Sequence, residues 1–93
     1  MFLSARRDLE TRQVGTDLIL YDLINKTLHV LNVTAAKVFQ LCDGLRTEEE
    51  IAHALSESFD DANPVQIYHD VKRTLNVFKV KNIVTQEAGR LIA

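Results

Sequence analysis

The sequence predicts an α+β fold, in which an N-terminal three-stranded antiparallel sheet, a β-hairpin plus one short strand, is followed by a three-helix bundle. Three observations carry that prediction. Two short runs, Asp17 to Asp22 and Thr27 to Leu31, are β-branched or aromatic in part and lie four residues apart. Three later segments each open on a helix-capping or helix-starting residue and continue with apolar residues at helical spacing. Finally, 93 residues, 46% apolar and 26% charged, suit one small domain, which at this size buries only about 60 to 65% of its unfolded surface.

Taken in order, residues 1–8 are expected to form a flexible N-terminal arm, residues 9–84 the folded domain and residues 85–93 a frayed tail. Leu9 to Val14 reads as a short strand that Gly15 turns back. The hairpin follows, with Leu23-Ile24-Asn25-Lys26 as its turn and Asn25 as the residue that tolerates a left-handed conformation. By numbering, Leu18, Leu20, Leu28 and Val30 share one parity, and Ile19, Tyr21 and Leu31, with His29, share the other. Both faces are therefore apolar, and the arm or a partner has to cover what the helices leave open. Asn32 caps the next helix, which sets Ala35, Val38, Phe39 and Cys42 along one side and ends near Gly44. Thr47 with Glu50 forms a capping box for the second helix, whose buried stripe is Ile51, Leu55 and Phe59. After the polar loop Asp60-Asp61-Ala62-Asn63, Pro64 starts a third helix running to about Lys81. Its stripe is Ile67, Val71, Leu75 and Phe78, and Asn82 stops it before Ile83 and Val84 fold back onto apolar surface.

Composition and spacing argue against most chemistries. A formal charge of -2 gives no global pull toward phosphate backbones or anionic membranes. The single cysteine cannot form an intramolecular disulfide, no signal peptide or membrane span is visible, and a cytoplasmic location is expected. His29, His53 and His69 fall on three different elements without the close spacing of a zinc site, so no metal is expected. Cys42 has no neighbouring base, and Glu48-Glu49-Glu50 is explained by the dipole of the helix it opens. With no phosphate-cradling glycine loop either, we expect no catalysis and no cofactor.

The third helix is more informative. Asp70, Thr74, Val77 and Lys81, spaced four, three and four, share one flank beside the core stripe, with a modest apolar strip between an acid and a base. Lys72, Arg73, Lys79 and Lys81 raise a winged-helix DNA-binding regulator as an alternative. The hairpin, however, precedes the helices instead of following them, and the four cations are spread around the helix.

Leu31-Asn32, Ala35-Ala36, Val38-Phe39, Asp43-Gly44, Thr47, Glu50-Ile51 and Leu55, continued by Phe59, Asp70-Val71, Leu75, Phe78 and Ile83-Val84, form an ordered set that resembles the PqqD family over about residues 10 to 84. These are the peptide chaperones of pyrroloquinoline quinone biosynthesis, whose wider relatives are precursor-peptide recognition elements. The resemblance implies a winged-helix-like α+β domain with no catalysis of its own. It would hold the leader of a ribosomally made precursor peptide between the third strand and the third helix, and bring it to a modifying enzyme, often a radical S-adenosylmethionine protein. Two departures stand out: Thr74, where the family often has a larger apolar or aromatic residue, and Leu23-Ile24, where polar turn residues are usual.

The residues suggest the same mechanism unaided. A free edge along Thr27, Leu28, His29, Val30 and Leu31 offers backbone hydrogen bonds to an incoming strand. Thr74 and Val77 would select alternate leader side chains, while Asp70, Arg73 and Lys81 would tune register, since exposed ion pairs are worth only about 0 to 1 kcal/mol. Which strand parity, Leu28 or His29, lines the groove stays open. The third reading is a homodimer built on the hairpin. Neither nucleic acid nor a membrane is expected as a partner.

Overall fold

A computed structural model describes residues 2–57 and 63–87. Its elements run β1 (Phe2–Ala5), β2 (Glu10–Val14), β3 (Asp17–Asp22), β4 (Thr27–Leu31), α1 (Val33–Leu41), β5 (Asp43–Thr47), α2 (Glu48–Ser56), α3 (Pro64–Val80) and β6 (Val84–Glu87). They form an α+β fold with two three-stranded antiparallel sheets, ordered β2-β3-β4 and β5-β1-β6.

The first sheet is the expected one. Gly15, at φ 61, closes the two-residue turn between Val14 and Asp17, a backbone conformation that costs glycine nothing. The four-residue turn of the next hairpin differs from expectation: Lys26, not Asn25, takes the left-handed conformation at φ 54. Asn25 instead donates its backbone and side-chain N–H groups to the Asp22 carboxylate at 3.0 and 2.9 Å. That turn length also corrects the face assignment. Because Asp22 pairs with Thr27 and Leu20 with His29, even positions on β3 oppose odd positions on β4. Leu18, Leu20, His29 and Leu31 therefore share the inner face, while Ile19, Tyr21, Leu28 and Val30 share the outer one.

The second sheet is where the chain departs most from the sequence reading. The expected arm, residues 1–8, contains the central strand β1, whose Leu3 is completely buried. The expected tail begins inside β6, which pairs with β1 from Ala5↔Val84 to Phe2↔Glu87; residues 88–93 lie outside the described residues. The segment between α1 and α2, expected as a plain turn, is strand β5 on the other side of β1. Gly44 enters this strand at φ 81 and sits against Ser4. Burial explains the arrangement: Leu3, Ile83 and Val84 are 0 to 3% exposed, and four-residue strands contribute enough apolar surface only when they close over a core they share.

The helices follow their signals. Asn32 Oδ1 accepts from the Ala35 N–H at 2.9 Å. Thr47 and Glu50 form the reciprocal capping box, worth about 1 kcal/mol. Asn63 caps α3, Pro64 stands in its first turn, and Asn82, at φ 58, ends it. The core gathers Leu18, Leu20, Leu31, Val38, Ile51, Leu55, Val71, Leu75, Phe78 and Ile83. Phe59 and residues 60–62, assigned from the sequence to the α2 stripe and the following loop, lie outside the described residues. This packing lays α3 alongside β4, the edge strand of the first sheet.

Candidate functional site

β4 has β3 on one side only, and among the described residues nothing pairs with its other edge. Between that edge and α3 lies a groove of about 310 Å³. Leu28, His29, Val30 and Leu31 line one wall, Thr74, Val77, Phe78 and Lys81 the other, and Asn32, Ala35 and Ile83 complete it. The hairpin register places His29 and Leu31 on the inner face, and Leu28 and Val30, 52% and 60% exposed, on the outer. All four border the groove because it opens at the strand's edge.

The α3 wall is firmly backed. Val71, Leu75 and Phe78 are 0 to 2% exposed, and the Phe78 ring meets Phe39 edge-on at 6.4 Å between centroids. Thr74 Oγ1 donates to the Asp70 carbonyl at 2.9 Å. Its one hydroxyl hydrogen is thereby used inside the helix, so Thr74 makes no unmet demand for an acceptor in the groove. Val77, 42% exposed, adds apolar surface that water now covers. From Thr74 to Lys81 the wall is about 10 Å long at 1.5 Å per residue, enough for three or four residues of extended chain.

Of the ten residues singled out from the sequence, seven line the groove: Leu28, His29, Val30, Leu31, Thr74, Val77 and Lys81. Thr27 lies just beyond it, paired with Asp22. Asp70 and Arg73 also lie off the lining and engage each other at 3.6 Å, with Asp70 accepting from Gln66 Nε2 at 3.0 Å. One turn separates Asp70 from Thr74, and α3 carries that acid out of the cleft. Asn32, Ala35, Phe78 and Ile83 also line the groove, beyond the residues expected there from the sequence. Ala35 had a legible signal, since a small residue one turn past an edge strand leaves space between strand and helix.

The basic residues of α3 are largely engaged. Lys72 Nζ lies 2.6 Å from Glu49 and Lys79 Nζ 3.4 Å from Glu48. Hydrogen bonds from Lys72 and then from Tyr68 hold the Glu49 carboxyl below its ordinary value. With Arg73 against Asp70, three of the four cations that suggested DNA face acids of this same chain. The Cys42 thiol donates to the Val38 carbonyl at 3.2 Å and is pushed up to about 12, mainly by burial and then by the Asp43 charge. Among the described residues no group of three or more metal-ligating side chains occurs, and no helix is long and apolar enough to cross a membrane.

An open strand edge thus faces a well-packed helix across a cleft lined by both apolar and polar side chains, and this fold is shared with solved structures. Two solved structures are similar to it: TbiB1 in complex with the TbiA(beta) leader peptide, with a TM-score of 0.74 at 15% identity over 91% of this chain and 98% of that one, and lasso peptide synthetase B1 complexed with the leader peptide, with a TM-score of 0.75 at 16% identity over 92% and 100%. No curated protein matches in sequence. The family model described as coenzyme PQQ synthesis protein D (PqqD) matches residues 17–84, and the chain belongs to that family.

Proposed function

We propose that this chain is a non-catalytic peptide-presenting module. The leader of a ribosomally synthesised precursor adds as a strand to the outer edge of β4, seats alternate side chains against Thr74 and Val77, and is delivered to a separate modifying enzyme, a radical S-adenosylmethionine protein or another maturase. The observation that carries this reading is the groove itself: backbone groups along β4 that have no partner among the described residues, beside the α3 flank of Thr74 and Val77. Backbone hydrogen bonds to the edge supply affinity tolerant of sequence, and the α3 flank supplies choice. The two leader-bound structures of the same fold support it. A leader that orders on binding meets an entropic cost, which places the affinity at about micromolar to high nanomolar.

The test is titration of a synthetic leader, taken from a short open reading frame beside this gene, followed by amide hydrogen exchange. Protection confined to β4 and the α3 flank is the expected result; saturable binding that leaves the β4 amides unprotected removes strand addition from the reading.

A homodimer is the second reading, favoured by the exposure of Leu23, Ile24, Leu28 and Val30 at 52 to 72% on the hairpin tip and outer sheet face. A concentration-dependent mass without peptide affinity would select it.

A further inference from the structure

Arg6 belongs to neither wall of the groove and lies outside the residues that the family model matches, yet it bonds to residues adjoining each wall. Its Nη1 donates to Asp22 Oδ2 at 2.7 Å and to the Asn82 carbonyl at 3.2 Å, and its Nη2 donates to Asp22 Oδ1 at 3.3 Å. Its backbone N–H donates to the Ile83 carbonyl at 3.0 Å. Asp22 is the β3 residue paired with Thr27, where β4 starts. Asn82 follows the C-cap of α3, between two groove-lining residues, Lys81 and Ile83. One guanidinium therefore ties the Asp22–Thr27 pair at the start of β4, just beyond the groove, to the Asn82 carbonyl immediately after α3. Asp8 steadies it from outside through Nη2 at 2.6 Å and Nε at 3.1 Å.

At the other end of the groove no comparable side-chain link between the walls occurs among the described residues; there β4 runs directly into α1 through Asn32, whose side chain is spent on capping. The Lys81 end of the cleft is thus held by a hydrogen-bonded charge network, and the Thr74 end by chain connectivity and packing. Arginine suits this task because its planar fork can hold a carboxylate with two N–H groups and still direct a bond to a carbonyl, which a lysine ammonium cannot match in geometry. Asp22, 3% exposed and with both oxygens engaged, is a fixed anchor.

On the reading that the groove takes a leader strand, we propose that Arg6 is a positioning residue: it sets the separation of β4 and α3 at the Lys81 end and thereby selects the leader side chains seated there, without touching the leader itself.

The probe is a 12-residue peptide selected from a displayed random library on the wild-type protein. Each peptide position is replaced by alanine, and binding is measured to wild type, Arg6→Ala, Arg6→Lys and Lys81→Ala, with circular dichroism confirming the fold. Arg6→Ala is expected to weaken the parent peptide about tenfold. Coupling with Arg6 should be confined to the peptide positions that also couple to Lys81, and Arg6→Lys should recover affinity only in part. Should Arg6→Ala fail to fold, Asp22→Asn breaks the same link from the other side and is held to the same pattern. Unchanged affinity in a folded variant overturns the proposal, and so does a loss spread evenly over all peptide positions, which marks general loosening. If wild type enriches no peptide, the peptide-binding reading itself fails, and the positioning role with it.

Discussion

Val77→Asp puts the proposed groove to its most direct test. Val77 is 42% exposed, and burying a whole valine side chain is worth about 1.5 to 3 kcal/mol, so a leader covering the exposed share gains about 1 kcal/mol. Val77→Ala should forfeit most of that and weaken binding about fivefold. The aspartate must in addition give up water to an apolar neighbour, and the combined loss of about 3 kcal/mol or more weakens binding over a hundredfold. The fold should survive. Valine and aspartate have similar helix propensities. A carboxylate in the last turn costs about 0.3 to 1 kcal/mol against the helix dipole, and a pair with Lys81 four residues on returns about 0.2 to 0.5. Leader titration by calorimetry, with thermal melts of the same samples, reads both effects. A folded Val77→Asp that binds within twofold of wild type refutes the groove as the site.

Three further outcomes are expected. Along an antiparallel edge strand alternate amides face outward, so of His29→Pro and Val30→Pro one should abolish leader binding in a folded protein while the other breaks pairing with β3 and unfolds the sheet; identical outcomes in circular dichroism and titration contradict strand addition. Asp22 is held below the ordinary value of 3.8, first by the Arg6 hydrogen bond and then by Asn25. Its stabilisation is therefore complete at neutral pH and is lost as the pH falls below about 4 and through the folded-state value. Urea melts at pH 7 and pH 3 should show a smaller acid-induced loss in Asp22→Asn, with Asp8, Glu49 and Glu50, also lowered, contributing to what remains. Cys42, buried with its thiol pushed up to about 12, should react with an aromatic disulfide reagent only as the chain unfolds, so labelling rates should follow denaturant; fast labelling of the native protein contradicts that burial.

The parts of the fold that were legible from sequence are those whose signals are local. Asn32, Thr47 with Glu50, Pro64 and Asn82 each act within four residues of themselves, so the helices could be placed one at a time. The second sheet has no such signal. β1 and β6 are four residues each, no hairpin joins them, and Ala5 meets Val84 across nearly the whole chain. Only the apolar residues Leu3, Ile83 and Val84 at the two ends hinted that the termini share one core. The reversed sheet faces have a different origin: parity by residue number assumes an odd register sum has been excluded, and the four-residue turn from Leu23 to Lys26 imposes one. At the groove, strand and helix were both readable, whereas the exclusion of Asp70 and Arg73 depends on the rotation of α3 against β4, which no local pattern fixes.

The two walls differ in a way that divides affinity from selectivity. α3 is anchored on a fully packed stripe backed by Phe39, so the spacing of Thr74 and Val77 changes little when a ligand arrives. Among the described residues β4 has one sheet neighbour, and its Leu28 and Val30 remain more than half exposed; a strand paired on one side only belongs to the less stable part of a fold. On the proposed reading, a leader strand added to β4 would complete its hydrogen bonds and order that wall, so the backbone gain would be partly offset by that ordering. The net strength stays moderate for any extended sequence, and discrimination falls to the side chains that meet the unyielding helix. A stiffer β4 should therefore raise affinity for many peptides alike, whereas a change at Thr74 should reorder which peptides bind.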